Sequence, residues 1–249
     1  MSERPFPDAL PHGDLRELFP DIFFVTGTAK ITGRPLAFSR NMVVIRESSS
    51  LTLVNSVRLD EYGLKALDDL GTVDNVIRLA GFHGMDDPFY KDRYGARIWA
   101  VKGQSYVSGF DTAAEPFFEA DEWIDAASEL PVEGARLYVF KSSRPAEAVI
   151  VLLRDGGILI SGDALQNWRA PDRYFSLMGR LMMPFMGFIK PFNVGPGWRK
   201  AAKPSAEDLR GIFDLRFEHV LPAHGDEVIG GAAEKFRPAI EKAAGQSVT

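Results

Sequence analysis

The sequence has no cysteine among its 249 residues, which excludes one class of covalent bond and one class of metal site. Neither disulfides nor thiolate zinc sites can form, so any metal must be held by nitrogen and oxygen ligands. The sequence also lacks a long run of lysine and arginine, and its net charge is -5. Nucleic acid is therefore not an expected partner, because proteins that bind it present a basic patch.

The sequence has no uninterrupted apolar run of the length that a membrane span requires, about 20 residues. Its most apolar stretch, 174–192, is broken by Arg180, Pro184, Lys190 and Pro191. This stretch predicts a lid, a dimer contact or an interfacial contact, and all three roles are open. The N-terminus carries charge and proline where a signal peptide has an apolar core, so a cytoplasmic location is expected.

What the chain does have is a series of short β-prone runs and amphipathic helical patterns, separated by turn residues. The pattern predicts strands at 22–26, 42–46, 51–54, 76–79, 97–101, 136–140, 148–153, 158–161 and 220–221. It predicts helices at 60–70, 88–95, 120–129, 205–213 and 231–244. Strands followed by a helix occur in both halves, which is typical of two sheets packed face to face with helices outside.

The expected fold class is therefore α/β (α+β), as a four-layer αββα sandwich with mixed sheets. The Pro-rich segment 1–18 is expected to be loose. Residues 19–249 are expected to form a single domain, with an apolar insert at about 166–204.

Three separated fragments place an imidazole or a carboxylate just after a β-prone run. They are GFHGMDDP with His83 and Asp87, ISGDA with Asp163, and LPAHGD with His224. Residues that follow strand ends can meet in one cleft, so the fragments predict a shared site.

These fragments, in this order, together with the hairpin RNMVVIRESSSLTLVNSV, resemble the metallo-β-lactamase superfamily over residues 20–245. Its members are mostly metal-dependent hydrolases with an αββα sandwich. The resemblance implies that His83 and Asp87 occupy the first His and the Asp of the His-x-His-x-Asp-His motif. It also implies that Asp163 matches the metal-bridging Asp and His224 the final His.

The chain departs from the family at several ligand positions. Met85 and Pro88 stand at the second and third His of the motif, Asn55 at the turn Asp and Arg144 at the lone His. Met and Pro are not ligands for hard metals, and Arg has no free lone pair near neutral pH. A standard two-zinc site is therefore not expected, and the resemblance is to a divergent member with an incomplete metal-ligand set.

The remaining ligands predict a site for one divalent metal ion. Asp87, Asp163 and His224 supply three nitrogen or oxygen ligands, with His83 as an extra ligand or proton carrier. Zn, Mn and Fe all suit such a set. A metal there could lower the pKa of a bound water to about 7. The expected activity is hydrolysis of a small-molecule ester, lactone, thioester or phosphoester.

The predicted catalytic residues are Asp87, as a ligand of this ion, and Arg144. A guanidinium at the position of a missing metal ligand could replace the lost charge and polarise a substrate oxygen. Two structural alternatives are open: Asp87 could cap the helix that starts at Pro88, and Arg144 could form a buried ion pair with Asp87 or Asp163.

The second of these alternatives implies a relic site without metal. The chain would then be a catalytically inactive binding or scaffolding protein that uses the cleft and the apolar insert. A redox role through iron is also open, since two carboxylates and imidazole suit that metal.

Overall fold

Two β-sheets carry most of the chain in the computed structural model, which describes residues 6–31, 33–106 and 118–245. The larger sheet has its strands in chain order: β1 (Arg16–Phe19), β2 (Ile22–Lys30), β3 (Ala37–Glu47), β4 (Ser50–Val54), β5 (Thr72–Arg78), β6 (Arg97–Val101) and β7 (Glu122–Ile124). The pairs from β1 to β4 are antiparallel and those from β4 to β7 are parallel.

The second sheet is built from the C-terminal half of the chain. Its strands are β8 (Ala135–Val139), β9 (Ala148–Leu152), β10 (Ile158–Ser161) and β13 (His219–Pro222). Between β10 and β13 in the chain, β11 (Leu165–Gln166) and β12 (Asn193–Val194) form a separate two-stranded ribbon. Their order is β13-β10-β9-β8, and β13 runs parallel to β10. The ends of β10 and β13 therefore lie side by side, which brings the segments that follow them together.

Apolar side chains of both sheets form the central core. Ile22, Val43 and Ile77 of the larger sheet pack in one buried cluster with Ile150 and Ile160 of the smaller one. These strands are buried on both faces because helices cover their outer sides. This explains why the strands read as continuous apolar runs instead of alternating ones.

The helices form the two outer layers. On the larger sheet lie α1 (Glu61–Leu70), which Asp60 caps by accepting from the Gly63 amide, and α2 (Asp87–Tyr94). The helix α3 (Leu177–Phe185) comes next in the chain. The three helices that follow it lie on the smaller sheet: α4 (Pro196–Ala202), α5 (Ala206–Gly211) and α6 (Ala232–Gly245). This order of layers confirms the predicted αββα sandwich.

One of the predicted elements has the wrong type. The predicted helix at 120–129 is wrong, since β7 occupies Glu122–Ile124 and pairs with β6. The parallel edge of β6 offers backbone partners to this short segment, and these tertiary hydrogen bonds outweigh its helical propensity.

Part of the segment 1–18 lies against the sheet. The Gly13 amide donates to the Thr26 carbonyl, and the Thr28 hydroxyl donates to the Pro11 carbonyl. The strand β1 begins at Arg16. Among the described residues, no helix is both long and apolar enough to cross a membrane.

Candidate metal centre

Three of the predicted site residues converge where the loops after three strands meet. His83 follows β5, Asp163 follows β10 and His224 follows β13. His224 Nε2 lies 3.1 Å from Asp163 Oδ1, His83 Nε2 lies 3.4 Å from Asp163 Oδ2, and the two Nε2 atoms are 3.2 Å apart. All three side chains are almost fully buried. Parallel pairing of β10 and β13 accounts for the proximity of Asp163 and His224.

The orientation of His224 leaves a lone pair aimed at the carboxylate. His224 Nδ1 lies 3.0 Å from the Ser39 carbonyl, which can only accept, so Nδ1 carries the proton. In the neutral ring, Nε2 is then an acceptor that faces the Asp163 oxygen at 3.1 Å. Two acceptors this close require a cation or a proton between them. A metal-ligating histidine ordinarily donates its other N–H to such a carbonyl.

The three side chains fit a divalent metal ion. Their donor atoms lie within 4.8 Å of one another, as the ligands of a single ion must. A tetrahedral site with bonds of about 2.0–2.1 Å has ligands about 3.3 Å apart. Asp163 Oδ2 is also buried without a hydrogen-bond partner among the described residues, as expected of an oxygen meant for a cation.

Burial and neighbouring charges shift the pKa values of His83 and Asp163. Burial lowers the pKa of His83, and the Asp163 charge only partly offsets it, so this ring is neutral near pH 7. Burial acts to raise the pKa of Asp163, but the charge and the hydrogen bonds that His83 and His224 contribute when they are protonated lower it on balance. A neutral imidazole and a carboxylate are the ligand forms that bind a metal ion.

Glu147 is a buried carboxyl directly behind Asp163. Its Oε1 accepts from the Ala164 amide at 2.5 Å, and its Oε2 has no hydrogen-bond partner among the described residues. Burial, together with the Asp163 charge, raises the pKa of Glu147 well above its usual value. Glu147 was not among the predicted site residues. Its place in the apolar strand start EAVIVL was the signal for burial.

The structure does not bring Asp87 into this group. Asp87 Oδ1 accepts from the Ser56 hydroxyl at 2.5 Å, and Oδ2 accepts from the Tyr106 hydroxyl at 2.7 Å. Asp87 is fully buried, and burial raises its pKa. It begins α2 but does not cap it, and Asp86 at the N-cap position makes no side-chain cap bond either.

Arg144 lies at the surface. Its Nη1 donates to the carbonyls of Lys141 and Ser143 in its own loop, at 2.9 and 2.6 Å. The ion pair predicted between Arg144 and either Asp87 or Asp163 is therefore not formed.

The cation beside the cluster is a different arginine, which sequence reasoning missed. Arg40 is buried in an ion pair with Asp86, and the Arg58 amide donates to the same Asp86 oxygen at 2.7 Å. Burial, Asp163 and His224 have the larger effects on the pKa of His83. The Arg40 charge has a smaller effect, which also lowers this pKa. Arg40 is the fourth residue of β3 and precedes the predicted strand at 42–46, so the local sequence did not indicate that it is buried.

Asn55, at the position of the family's turn Asp, joins the two sheets. Its Nδ2 donates to the Ser161 carbonyl at 3.1 Å, and its Oδ1 accepts from the Leu79 amide at 3.3 Å. Asn55 has a φ of 56°, a left-handed conformation that asparagine tolerates better than most residues. An amide is needed here because the side chain must both donate and accept.

Asn55→Asp, which restores the family residue, should lower the free energy of unfolding by about 3 kcal/mol, because a buried carboxylate would face the Ser161 carbonyl. Urea unfolding measures the loss. Asn75→Asp is the matched control: Asn75 Oδ1 accepts from Trp99 Nε1 at 2.9 Å, and an aspartate retains that bond. Equal stability of Asn55→Asp and the native chain would contradict this role of the amide.

Aromatic rings form one wall of the centre. The Trp168 ring lies 4.9 Å from the His224 ring, between centroids, and the Phe38 ring lies 5.7 Å from it. Trp168 Nε1 donates to the Ser39 hydroxyl at 2.8 Å. Phe175 and Met183, which belong to the apolar insert, pack on Trp168. Trp168 also belongs to the insert, which therefore borders the candidate metal centre.

Comparison with solved structures places this geometry in a known fold. The structure of VMB-1 superposes with a TM-score of 0.64 at 12% identity, covering 93% of this chain and 97% of that one. The metallo-β-lactamase FIM-1 from Pseudomonas aeruginosa, in its mono-zinc form, gives 0.62 at 12% identity, covering 98% and 100%. A metallo-β-lactamase from Hirschia baltica gives 0.58 at 15% identity, covering 92% and 97%.

The chain therefore has the metallo-β-lactamase fold, as its motifs predicted. No family model matches the sequence. No curated protein matches it either. The fold is shared with these solved structures at low sequence identity, as expected of a divergent chain.

Proposed function

We propose that this protein is a single-metal hydrolase of a small-molecule ester, lactone, thioester or phosphoester. His83, Asp163 and His224 are the metal ligands in this proposal, and Zn, Mn and Fe are the candidate ions. A divalent ion held there would supply Lewis-acid chemistry at the substrate and acidify water. Three ligands from the protein leave a coordination position open, as a catalytic site requires.

One observation supports the proposal most strongly. His224 Nδ1 is held by the Ser39 carbonyl, and its Nε2 faces Asp163 Oδ1 at 3.1 Å. The opposition of two acceptors is costly unless a cation or a proton lies between them, and a divalent ion also accounts for the nearby His83 nitrogen. The backbone contact that orients the ring is the type of support found behind metal-ligating histidines.

Other residues of the chain support the centre. Glu147 accepts from the Ala164 amide and so holds the turn that presents Asp163. Burial and the Asp163 charge raise the pKa of Glu147, which favours its neutral form, and that form places no second negative charge beside Asp163. Arg40, fixed by Asp86, places a positive charge near His83. Trp168 and Phe38 limit water around His224, which strengthens electrostatic interactions at the site.

The solved structures give modest support to the choice of one ion. The Hirschia baltica and FIM-1 structures are named metallo-β-lactamases, and the FIM-1 structure is named as a mono-zinc form. A mono-zinc form in this fold is compatible with a chain in which Met85 and Pro88 replace two family ligands.

Metal analysis and hydrolysis assays test the proposal together. Protein purified without chelator should contain about one equivalent of Zn, Mn or Fe. It should hydrolyse at least one of a p-nitrophenyl ester, a lactone, a thioester and a phosphodiester. A chelator should remove both the metal and the activity, and the metal should restore the activity. Absence of metal after loading with each ion in turn would refute the proposal.

The second candidate is an inactive binding protein without metal. A proton shared between His224 and Asp163 would also satisfy the two acceptors, and this observation favours it. The metal analysis separates the two functions, because this alternative requires that no ion be retained.

Arg144→Ala should change kcat/KM by less than about threefold, because this exposed guanidinium donates to carbonyls of its own loop. The measurement is kcat/KM on whichever substrate the panel identifies, with Lys141→Ala as the control from the same loop. A loss of more than about 100-fold would instead support the sequence hypothesis that Arg144 polarises the substrate oxygen.

A further inference from the structure

The outer face of α3 is an exposed apolar surface. At about 100° per residue, Leu177, Met178, Leu181, Met182 and Phe185 fall on one side of this helix. Leu177, Leu181 and Phe185 are 85%, 63% and 87% exposed. Large side chains with this exposure on one helical face indicate an interaction site, because isolated exposed leucines are common but contiguous ones are not.

The opposite face of α3 holds the helix to the protein. Met183 and Gly179 are buried, and Met183 packs in the cluster of Trp168 and Phe175. The Ser176 hydroxyl caps the helix by accepting from the Gly179 amide, and it donates to the Pro35 carbonyl. The exposed face is therefore presented by a helix that is anchored at its first turn and along its inner side.

The stretch of chain that contains α3 is strongly basic. Residues 173–206 contain no aspartate or glutamate, although the whole chain has a net charge of -5. Their basic residues are Arg173, Arg180, Lys190, Arg199, Lys200 and Lys203. Most of these side chains are exposed, and the Arg180 guanidinium donates to the backbone carbonyls of Asp172 and Phe175, with no carboxylate partner among the described residues.

The positive charge of residues 173–206 helps to decide between two possible binding partners of this face, a second copy of the chain and a lipid surface. In a symmetric dimer the same patch would meet itself, and the basic segment of one copy would face that of the other. Like charges in such an interface repel, and nothing acidic within 173–206 offsets them. An anionic lipid surface complements both properties, since it receives apolar side chains and attracts lysine and arginine.

We propose that α3 and its basic flanks dock this protein on the surface of an anionic lipid bilayer. Leu177, Leu181 and Phe185 enter the interface between headgroups and acyl chains, and the basic side chains contact the headgroups. The proposal concerns a surface of the protein and does not depend on the metal centre.

Co-sedimentation of the full chain with lipid vesicles tests the proposal. The protein should bind vesicles rich in phosphatidylglycerol and bind phosphatidylcholine vesicles much more weakly. Changing both Leu181 and Phe185 (Leu181→Glu, Phe185→Glu) should weaken binding by more than about tenfold, and Lys190→Ala by about fivefold at low salt. Added salt should weaken binding further, because it screens the charges.

Leu153→Glu is the matched control, since Leu153 is 51% exposed and lies outside the basic segment. It should bind vesicles like the native chain. The proposal would be overturned if the protein bound neither kind of vesicle. It would also be overturned if Leu153→Glu weakened vesicle binding as much as the double variant does. A dimer in sedimentation velocity that the double variant dissociates, without vesicle binding, would overturn it too and assign the face to a second copy. Metal content is measured on the same samples, so failure of the metal proposal is seen separately.

Discussion

Asp163→Ala should abolish stoichiometric metal binding. Asp163 provides the only carboxylate among the three side chains that converge, and its two oxygens face His83 and His224. Without it, only two neutral imidazoles remain as ligands. The affinity for Zn should fall by more than about 100-fold, because loss of a ligand costs more than loss of a residue that only supports a ligand. Titration of the chelated protein with Zn, followed by metal analysis after dialysis, measures this loss.

Asp87→Asn is the control for that experiment. Asp87 is also buried, but its oxygens accept from the Ser56 and Tyr106 hydroxyls. An amide can keep one of these bonds, and the other hydroxyl can turn to donate elsewhere or accept. The variant should retain its metal. If Asp87→Asn loses metal as Asp163→Ala does, Asp87 is a ligand, as the sequence motif predicted.

Gly225→Ala should lower the free energy of unfolding by more than about 4 kcal/mol, because strain and a backbone clash add up. Gly225 follows His224 and has a φ of 87°. A Cβ there would lie 2.2 Å from the Asn167 carbonyl carbon and 2.4 Å from the Trp168 nitrogen. Those atoms belong to a backbone fixed by the bond from the Asn167 amide to the His224 carbonyl, so no side-chain rotation relieves the contact.

Gly95→Ala is the control that separates the effect of backbone strain from the effect of the backbone clash. Gly95 has a φ of 68°, but a Cβ there meets nothing within 4 Å, so this variant should lose only about 1 kcal/mol. Urea unfolding compares the two variants. Gly225→Ala should also weaken Zn binding, because it displaces the loop that carries His224. Equal destabilisation by both substitutions would show that the contact with Asn167 is not rigid.

The elements of the fold were largely predictable because their signals are local. The hairpin of β3 and β4, the stop of α1 at Gly71 and the start of α2 near Pro88 follow from side-chain period, glycine and proline. The error at Glu122–Ile124 shows the limit of local signals. There the partner strand β6 decides the structure, and it lies more than 20 residues earlier in the chain.

The site could be predicted only where a residue follows a strand end. His83, Asp163 and His224 satisfy that condition, and parallel strands bring such residues to one edge of the sandwich. Asp87 does not, because it lies on α2, and the direction of its side chain depends on how α2 packs against the sheet. Arg144 and Glu147 are three residues apart, yet one is exposed and the other fully buried.

By itself, the sequence determined the αββα sandwich and the three polar residues that follow its strands, since residue order and periodicity define strands and their ends. Only the tertiary structure decided that Asp87 bonds Ser56 and Tyr106, that Arg40 is the cation near His83, and that Glu147 stands behind Asp163. Burial and side-chain direction arise from contacts between distant segments. No local pattern records those contacts, so they follow only once both sheets and their helices are assembled.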